Sequence, residues 1–568
     1  MSKIQVCAMR LMIKRNTLPR LSCVGICLFG VVAVSAALGG VFVNLVNAAE
    51  APVNHALFTT SDQCMACHSN THAANGEDTS IGYQWRATMM ANSARDPYWH
   101  AGIKREIADH PQAKAAIEDI CSTCHMPMAR FEAHASGQMG VVASHLDMFN
   151  AKPAILPRNT ALAMDGVSCT LCHQIRRDNF GMESSFDGGF VIDTATPPEQ
   201  RQLFGRFEVD KGRTRVMHSA SGFVPTQATH LKESELCAGC HTLFTHAMDD
   251  RGNPAGVLPE QVPYHEWLRS DFARTDTCQS CHMPKAGGDT PLSSVVGQPR
   301  ADVSLHQFIG GNAFMLRILG AYRDELGVVA GTDELEASAA RTDRQLANRT
   351  AALEIGAPRI NGENVEFDVN VRNLAGHKLP TAYPSRRVWL HVTVRDSAGA
   401  SLFESGAAGA DGAISGNDND DNAAAFEPHY TRITAPDQVQ IYESVMGDFA
   451  GRVTTGLLFG TRYLKDNRLL PRGFAKAGAP DDVAVRGNAV DDSDFDNGGD
   501  RVTFSVPRKD LTGPFTVSVE LLYQSIGYRW AQNLRNYDTP ESARFLRYYG
   551  EEAKSITNLL AKAEASAR

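Results

Sequence analysis

The chain has 568 residues, of which 43% are apolar and 21% charged, and its formal net charge is −9. This balance is typical of a soluble globular protein, and the length predicts at least two domains. The acidic excess argues against nucleic acid as a partner.

The N-terminus has the pattern of an export signal. Five basic residues (Lys3, Arg10, Lys14, Arg15 and Arg20) precede an uncharged apolar stretch from Leu21 to Val46, and small residues follow it. We expect cleavage after Ala48, so that residues 1–48 are a signal peptide and the mature chain has a formal charge of −14. The stretch is also long enough to span a bilayer, so an uncleaved N-terminal anchor is the alternative, and only then would the protein be bound to a membrane.

Beyond the signal, the ten remaining cysteines form five pairs, each followed directly by histidine in the pattern C-x-x-C-H. The pairs with their histidines are Cys64, Cys67 and His68; Cys121, Cys124 and His125; Cys169, Cys172 and His173; Cys237, Cys240 and His241; and Cys278, Cys281 and His282.

This spacing has a chemical reason. Two thiols three positions apart can bind the two vinyl groups of one porphyrin, and the imidazole that follows then binds the iron as proximal ligand. Zinc knuckles, redox dithiols and disulfides also use C-x-x-C pairs, but none of them needs a histidine after every pair. The sequence therefore predicts five covalently bound haem c groups.

The predicted fold class is α+β and multidomain: a mainly α or irregular pentahaem cytochrome domain, a β-sandwich-like domain and a C-terminal helix. The expected boundaries are 49–352 for the cytochrome domain, 353–535 for the β domain and 536–568 for the helix. Asp96-Pro97 predicts a capped helix start, and further helices are expected over about 313–326 and after Thr332. Alternating stretches at 365–371, 388–394 and 515–522 predict strands.

A haem that only transfers electrons usually has a second axial ligand, so distal histidines are expected. Local context favours His377, in a Gly- and Pro-bounded loop, then His306, His230 and His145. His72, His100, His134, His246 and His265 remain as weaker candidates, of which we retain His134, His72 and His265.

Several segments resemble the superfamily of hydroxylamine-oxidoreductase-like and cytochrome c nitrite-reductase-like multihaem cytochromes, in particular exported members with a C-terminal β domain. They are 166–173, 278–284, 310–315, 376–381 and 384–387. The resemblance implies that His230, His306 and His377 are distal ligands. One departure is clear, because nitrite-reducing members bind their catalytic haem through C-x-x-C-K, whereas all five motifs here end in histidine.

Two functional interpretations follow. The first is an exported electron carrier, in the periplasm or at the cell surface of a bacterium, whose partners are other redox proteins such as membrane quinol-linked or cell-surface cytochromes. The second is an oxidoreductase in which one haem keeps an open position for nitrite, hydroxylamine, tetrathionate or another small nitrogen or sulfur compound. The catalytic residues, the oligomeric state and the physiological partners are not specified by the sequence.

Two acidic loops, 417–422 and 491–498, contain enough carboxylates for calcium, although neither has EF-hand spacing. Solvated acidic loops are the alternative interpretation.

Overall fold

The first part of the chain consists of short helices that begin or end near the cysteine pairs. The computed structural model describes residues 56–508 and 513–567, so the signal segment lies outside the described residues. The helices of this part are α1 Ser61–Met65, α2 Ile81–Arg86, α3 Pro97–Asp109, α4 Lys114–His125, α5 Pro127–Ala135, α6 Ala143–Asn150, α7 Arg158–Met164, α8 Cys169–Cys172, α9 Lys211–Ser221, α10 Glu235–Ala238, α11 Pro263–Leu268, α12 Cys278–His282, α13 Ala313–Ala321, α14 Arg323–Leu326 and α15 Thr332–Arg349.

Side-chain caps explain where several of these helices start. The Asp96 carboxylate accepts hydrogen bonds from the backbone N–H groups of Tyr98 and Trp99, and Pro97 occupies the first turn of α3, as predicted. Thr277 caps α12 in the same way, directly before Cys278. The caps therefore fix the helix register that presents the cysteines.

Short strands interrupt the helices: β1 Gln202–Gly205, β2 Val224–Gln227, β3 Leu243–Met248, β4 Pro254–Gln261, β5 Thr290–Pro291 and β6 Pro299–Arg300. They form three two-stranded sheets, of which β3 and β4 make an antiparallel hairpin directly after the fourth cysteine motif.

The second part of the chain contains two larger sheets. Its elements are β7 Ala351–Ile355, β8 Arg359–Asn361, β9 Asn364–Asn373, β10 Arg387–Arg395, β11 Ser401–Ser405, α16 Asp418–Asp421, β12 Arg432–Ile433, β13 Ile441–Gly447, β14 Val453–Thr454, β15 Arg462–Asp466, β16 Gly499–Pro507, β17 Phe515–Gln524, α17 Tyr528–Gln532, α18 Pro540–Glu551 and β18 Thr557–Ala567. One sheet has seven strands: five in the order β14-β13-β10-β17-β18, with β11 paired to β10 and β15 paired to β13. The other has five: four in the order β12-β16-β9-β7, with β8 paired to β9.

Alternating apolar residues of the two sheets meet in one core, as in a β-sandwich. Val365 and Phe367 of β9 and Phe504 of β16 are buried together with Val392 of β10 and Val519 of β17. The strands predicted at 365–371, 388–394 and 515–522 are confirmed as the centres of β9, β10 and β17.

The prediction of a helix through the end of the chain is wrong. The helix α18 ends at Glu551, and Thr557–Ala567 is a strand that pairs antiparallel with β17. The alanine-rich segment has good helix propensity, but the free edge of β17 offers it a full hydrogen-bond ladder, and Leu560 is buried in the sandwich core.

The α+β fold class is confirmed. Residues 55–568 cluster as one compact unit in which helices and sandwich contact each other. Within the described ranges, no helix is both long enough and apolar enough to cross a membrane.

Candidate functional site

One continuous cavity of about 1730 Å³ brings the five cysteine pairs together. All ten cysteines line it, and so do the five histidines that follow them, with side chains from α3, α4, the β3–β4 hairpin and the loop at 374–386 of the β domain. Cysteines up to 217 positions apart in sequence thus line the same cavity. The motifs alone do not establish that they come together.

Four of the five motif histidines are oriented by a backbone carbonyl. The Nδ1 atoms of His68, His125, His173 and His282 lie 2.7, 2.9, 2.6 and 2.5 Å from the carbonyl oxygens of Leu292, Ser93, Phe204 and Ile309. This bond fixes the tautomer in which Nδ1 carries the proton and leaves Nε2 free as a metal ligand.

Burial favours the neutral form of His125, His173 and His241 by lowering the pKa of each. It lowers the pKa of His125 to about 4 against the weaker opposing effect of its bond to Ser93. Burial likewise lowers the pKa of His241 to about 4, with a further contribution from His282 and Arg386. A neutral imidazole is the form that binds a metal ion.

Two further histidines face motif histidines across the cavity. The ring centres of His173 and His306 are 6.4 Å apart with planes inclined by 15°, and those of His282 and His377 are 6.3 Å apart at 17°. Two imidazoles that bind one first-row metal ion from opposite sides have ring centres roughly 6 Å apart, because each metal–nitrogen bond is about 2 Å long. The structure thus brings the distal candidates His306 and His377 into a geometry suited to a bis-histidine iron site.

The residues fit haem c in a second respect. The Nδ1 atom of His306 is buried without a hydrogen-bond partner among the described residues. Burial lowers the pKa of His306 to about 3, so the ring is neutral. An apolar cavity that contains thiol pairs and neutral, oriented imidazoles has the donor set that a covalently bound haem requires.

Hydrogen bonds hold His377 in place from its own loop. Its Nδ1 atom lies 2.9 Å from the carbonyl oxygen of Lys378, so Nε2 is the free nitrogen. The Lys378 backbone N–H donates to the carboxylate of Glu266 at 3.0 Å, and the Thr381 hydroxyl donates to the same carboxylate at 2.5 Å. Glu266 on α11 therefore fixes the loop that carries His377.

Glu266 belongs to a buried group of four charges. The Lys378 ammonium donates to Asp466 at 2.7 Å, and Arg468 donates to Asp466 at 2.8 and 2.9 Å and to Glu266 at 2.9 Å. All four side chains are at most 4% exposed. Burial alone would raise the pKa of Asp466, but the charges of Arg468 and Lys378 lower it, so the carboxylate stays ionised.

The other predicted distal ligands lie elsewhere. The Nε2 atom of His230 is 2.9 Å from the Ile175 carbonyl oxygen, and His145 Nδ1 is 3.2 Å from the Thr160 hydroxyl. His134 and His265 are bonded to the carboxylates of Asp119 and Asp482 at 2.7 and 2.5 Å. His72 is exposed. None of these five rings is among the side chains that line the cavity.

His246 does line the cavity, as His306 and His377 do. The residues around it, 243–248, contain no glycine or proline of the kind that bounds the loop of His377, so the sequence indicates it only as a weaker candidate. Only the placement of β3 against the cavity distinguishes it.

Thiols of different motifs lie next to one another. The thiols of Cys64 and Cys169, of Cys124 and Cys240 and of Cys237 and Cys278 lie close enough that the second of each pair is the main cause of the lowered or raised pKa of the first. The third motif also lies close to the fourth, because the charge of Cys172 acts on both Cys237 and Cys240. The attachment sites therefore form a connected series, with the fourth motif next to the second, third and fifth.

The acidic loops use their carboxylates internally. Asp420 forms a two-pronged pair with Arg387 at 2.8 and 2.9 Å, and Asp494 accepts hydrogen bonds from the backbone N–H and the guanidinium of Arg501. Asp496 accepts from the backbone N–H of Lys476 at 2.8 Å. These contacts account for Asp420, Asp494 and Asp496 as turn and pairing groups, and calcium stays an untested prediction.

No protein-family model matches the chain, and no curated protein does either. Among solved structures, the chain is similar to a penta-heme cytochrome c552 from Thermochromatium tepidum, with 17% sequence identity and a TM-score of 0.51. The match covers 90% of this chain and 99% of that one, so the likeness in fold extends over both parts of the protein.

Proposed function

We propose that the chain is an exported pentahaem c-type cytochrome that transfers electrons between redox partners in the periplasm or at the cell surface. The observation that carries the proposal is the shared cavity, in which every C-x-x-C-H motif contributes its thiols and its imidazole. The superfamily of hydroxylamine-oxidoreductase-like and nitrite-reductase-like cytochromes is part of the proposal, supported by the sequence resemblance and the similar pentahaem fold.

Haem c supplies one-electron redox chemistry when it is bound. The chain's own contribution is to attach the groups close together, through neighbouring thiols, and to orient four of the five motif imidazoles through an Nδ1 hydrogen bond. Opposed histidines such as His306 and His377 would keep the iron six-coordinate, which suits electron transfer with little rearrangement.

The acidic surface provides a test of electron transfer itself. With a formal charge of −14 after signal removal, the mature chain attracts basic partners. The experiment mixes the reduced holoprotein with oxidised horse-heart cytochrome c, a small basic acceptor, and follows the rate at rising ionic strength. We expect fast transfer that slows as salt screens the attraction.

The matched control is the same acceptor with acetylated lysines, which lacks the positive charges. Transfer to it should be slower and nearly independent of salt. If the reduced protein passes no electrons to either acceptor, the electron-carrier proposal is wrong.

One observation favours a second candidate, an oxidoreductase acting on a small nitrogen or sulfur compound. Among the described residues, His68, His125 and His241 have no second imidazole stacked opposite them in the manner of His306 and His377. An iron without a sixth protein ligand would bind such a substrate. Binding and turnover of nitrite, hydroxylamine and tetrathionate by the purified holoprotein decide between the two candidates.

A further inference from the structure

The imidazole of His125, in the second motif, has a flat aromatic neighbour. Its plane is inclined by 2° to the indole of Trp99, and the two ring centres are 4.3 Å apart. Side by side in one plane, rings this close would overlap, because non-bonded carbon atoms stay about 3.5 Å apart or more. The indole therefore lies face to face on the imidazole, in an offset stack.

This contact differs from the two opposed histidine pairs. In those pairs the ring centres are 6.4 and 6.3 Å apart, which leaves room for an iron ion between the imidazoles. An iron bound to Nε2 of His125 would lie in the plane of that imidazole, about 2 Å from the nitrogen. The indole lies beside this plane, so Trp99 flanks the proximal ligand and takes no coordination position of the iron.

One segment holds both the edge and the face of the His125 ring. The Nδ1 atom of His125 lies 2.9 Å from the Ser93 carbonyl oxygen, and the Ser93 hydroxyl donates to the His125 carbonyl oxygen at 2.9 Å. Trp99 follows at the start of α3, where its backbone N–H donates to the Asp96 carboxylate at 3.3 Å. Residues 93–99 thus fix the ring by a hydrogen bond at its edge and by a stacked ring on its face.

This segment is anchored to distant parts of the chain. The Arg95 guanidinium donates to the Gly327 carbonyl oxygen at 2.9 Å. The Nε2 atom of His100 lies 2.9 Å from the Ala94 carbonyl oxygen, and its Nδ1 accepts from Arg544 on α18 at 2.9 Å. Both Arg95 and His100 are buried. The surrounding fold therefore determines where the indole lies against His125.

The stack is specific to the second motif. In the described ranges, none of the other four motif histidines has a tryptophan, tyrosine or phenylalanine ring stacked on it. The torsion that rotates an imidazole has a broad energy profile, so an edge bond together with a stacked face defines the ring plane more narrowly than an edge bond alone. Groups that orient a metal ligand and exclude solvent from it tune the metal.

We propose that Trp99 is a positioning residue for the haem held by Cys121, Cys124 and His125: its indole fixes the plane of the proximal imidazole and thereby sets the EPR g values and the reduction potential of that haem. The inference rests on the proposed attachment of haem c. It concerns the proximal side of the iron and makes no use of a sixth ligand.

The test compares the purified holoproteins of the wild type, W99L, W99F and the control W530L, which removes a tryptophan outside the cavity. Haem content, the low-temperature EPR spectrum, the midpoint potentials and the denaturant midpoint are measured for each. W99L lacks a flat face, so it should keep five haems and shift the g values and the potential of one. W99F keeps a flat face and should stay close to the wild type, as should W530L.

Unchanged g values and potentials in W99L, with or without a lower denaturant midpoint, would reduce Trp99 to a structural role and overturn the proposal. A shift in W99F as large as that in W99L would contradict the importance of the stacked face. If W99L does not fold, W99M takes its place with the same expected shift, because methionine is apolar and flexible and has no flat ring. A wild type without covalent haem would instead contradict the underlying function.

Discussion

At the scale of single residues, the site depends on which nitrogen of each histidine is free. The Nδ1 atom of His377 is bound to the Lys378 carbonyl oxygen, as those of four motif histidines are bound to theirs, and this leaves Nε2 free in a ring whose centre lies 6.3 Å from that of His282. A second pair of rings, His173 and His306, has nearly the same separation and inclination.

Replacement of His377 by alanine should leave five haems attached and convert one of them to the high-spin state, because the iron held by His282 loses its opposed ligand. EPR and optical spectra of the holoprotein measure this directly. H391A is the matched control, since His391 lies in the β domain between two glutamates and does not line the cavity. Identical spectra for H377A and the wild type would contradict the assignment.

Replacement of Glu266 by glutamine should destabilise the protein and loosen His377. The change leaves Arg468 with one fewer ionised partner in a buried network, and breaking a buried pair costs about 3–5 kcal/mol. We expect a lower midpoint in denaturant-induced unfolding, and a part of the haem bound by His282 and His377 in the high-spin state. D271N is the control, because the pair between Asp271 and Arg472 is exposed.

If E266Q lowers stability but leaves every haem low-spin, the network supports the interface between helices and sandwich without positioning His377. E266D keeps the charge, so stability restored in E266D would show that the loss in E266Q comes from the missing charge.

At the scale of elements, the β-sandwich contains a buried polar cluster away from the cavity. Asp500 on β16 accepts hydrogen bonds from Tyr442 at 2.5 Å and Gln440 at 3.2 Å, and it faces His429 and Asp492. Burial raises the pKa of Asp500 to about 7, and the nearby Asp492 and Asp494 charges add to that effect. The folded state therefore holds a proton that the unfolded chain has released.

This cluster predicts a pH dependence. A carboxyl group whose pKa is higher in the folded state than in the unfolded state binds its proton more tightly in the folded state. The free energy of unfolding therefore falls as pH rises from about 4, near the unfolded pKa, to about 7, the folded pKa. D500N, which stays neutral, should lack this loss. Relative to D500N, the free energy of unfolding of the wild type should fall by up to about 1.4 kcal/mol per pH unit in that window.

Denaturant unfolding curves at several pH values, followed by far-UV circular dichroism, measure both slopes. D481N serves as control because the Asp481 side chain is fully exposed in its pair with Arg486. Parallel slopes for D500N and the wild type would show that Asp500 is ionised throughout.

The elements also show what the sequence can and cannot predict. The capped start of α3 and the strands β9, β10 and β17 follow from local patterns, and His306 and His377 lie in loops whose glycines mark them. The final strand depends on a distant partner, because β18 pairs with the free edge of β17. Local propensity contains no information about such partners.

At the scale of the whole molecule, the five motifs come together because all of them line one apolar cavity. Helices from the first part and a loop from the sandwich line the same cavity, so His377 reaches the fifth motif from the β domain. The likeness in fold to a pentahaem cytochrome covers both parts as well. The β domain thus contributes side chains to the candidate site.

The adjacency of the thiols predicts how loss of one motif affects the others. Replacement of Cys278 by alanine should lower the haem content by one, because a single remaining thiol no longer anchors the group through both vinyl positions. Since Cys278 contacts Cys237, the absorption spectrum of the haem at the fourth motif should also change. Pyridine haemochrome quantification and spectra of C278A measure both effects, and an undiminished haem content would contradict the attachment scheme.

The central claim is that five haems are covalently attached to this chain, and quantification of haem against protein in the purified full chain tests it most directly. We predict five haems per chain that stay bound after acid-acetone extraction and denaturing electrophoresis. A chain that instead contains zinc, disulfides or fewer covalent haems would contradict this account of the site.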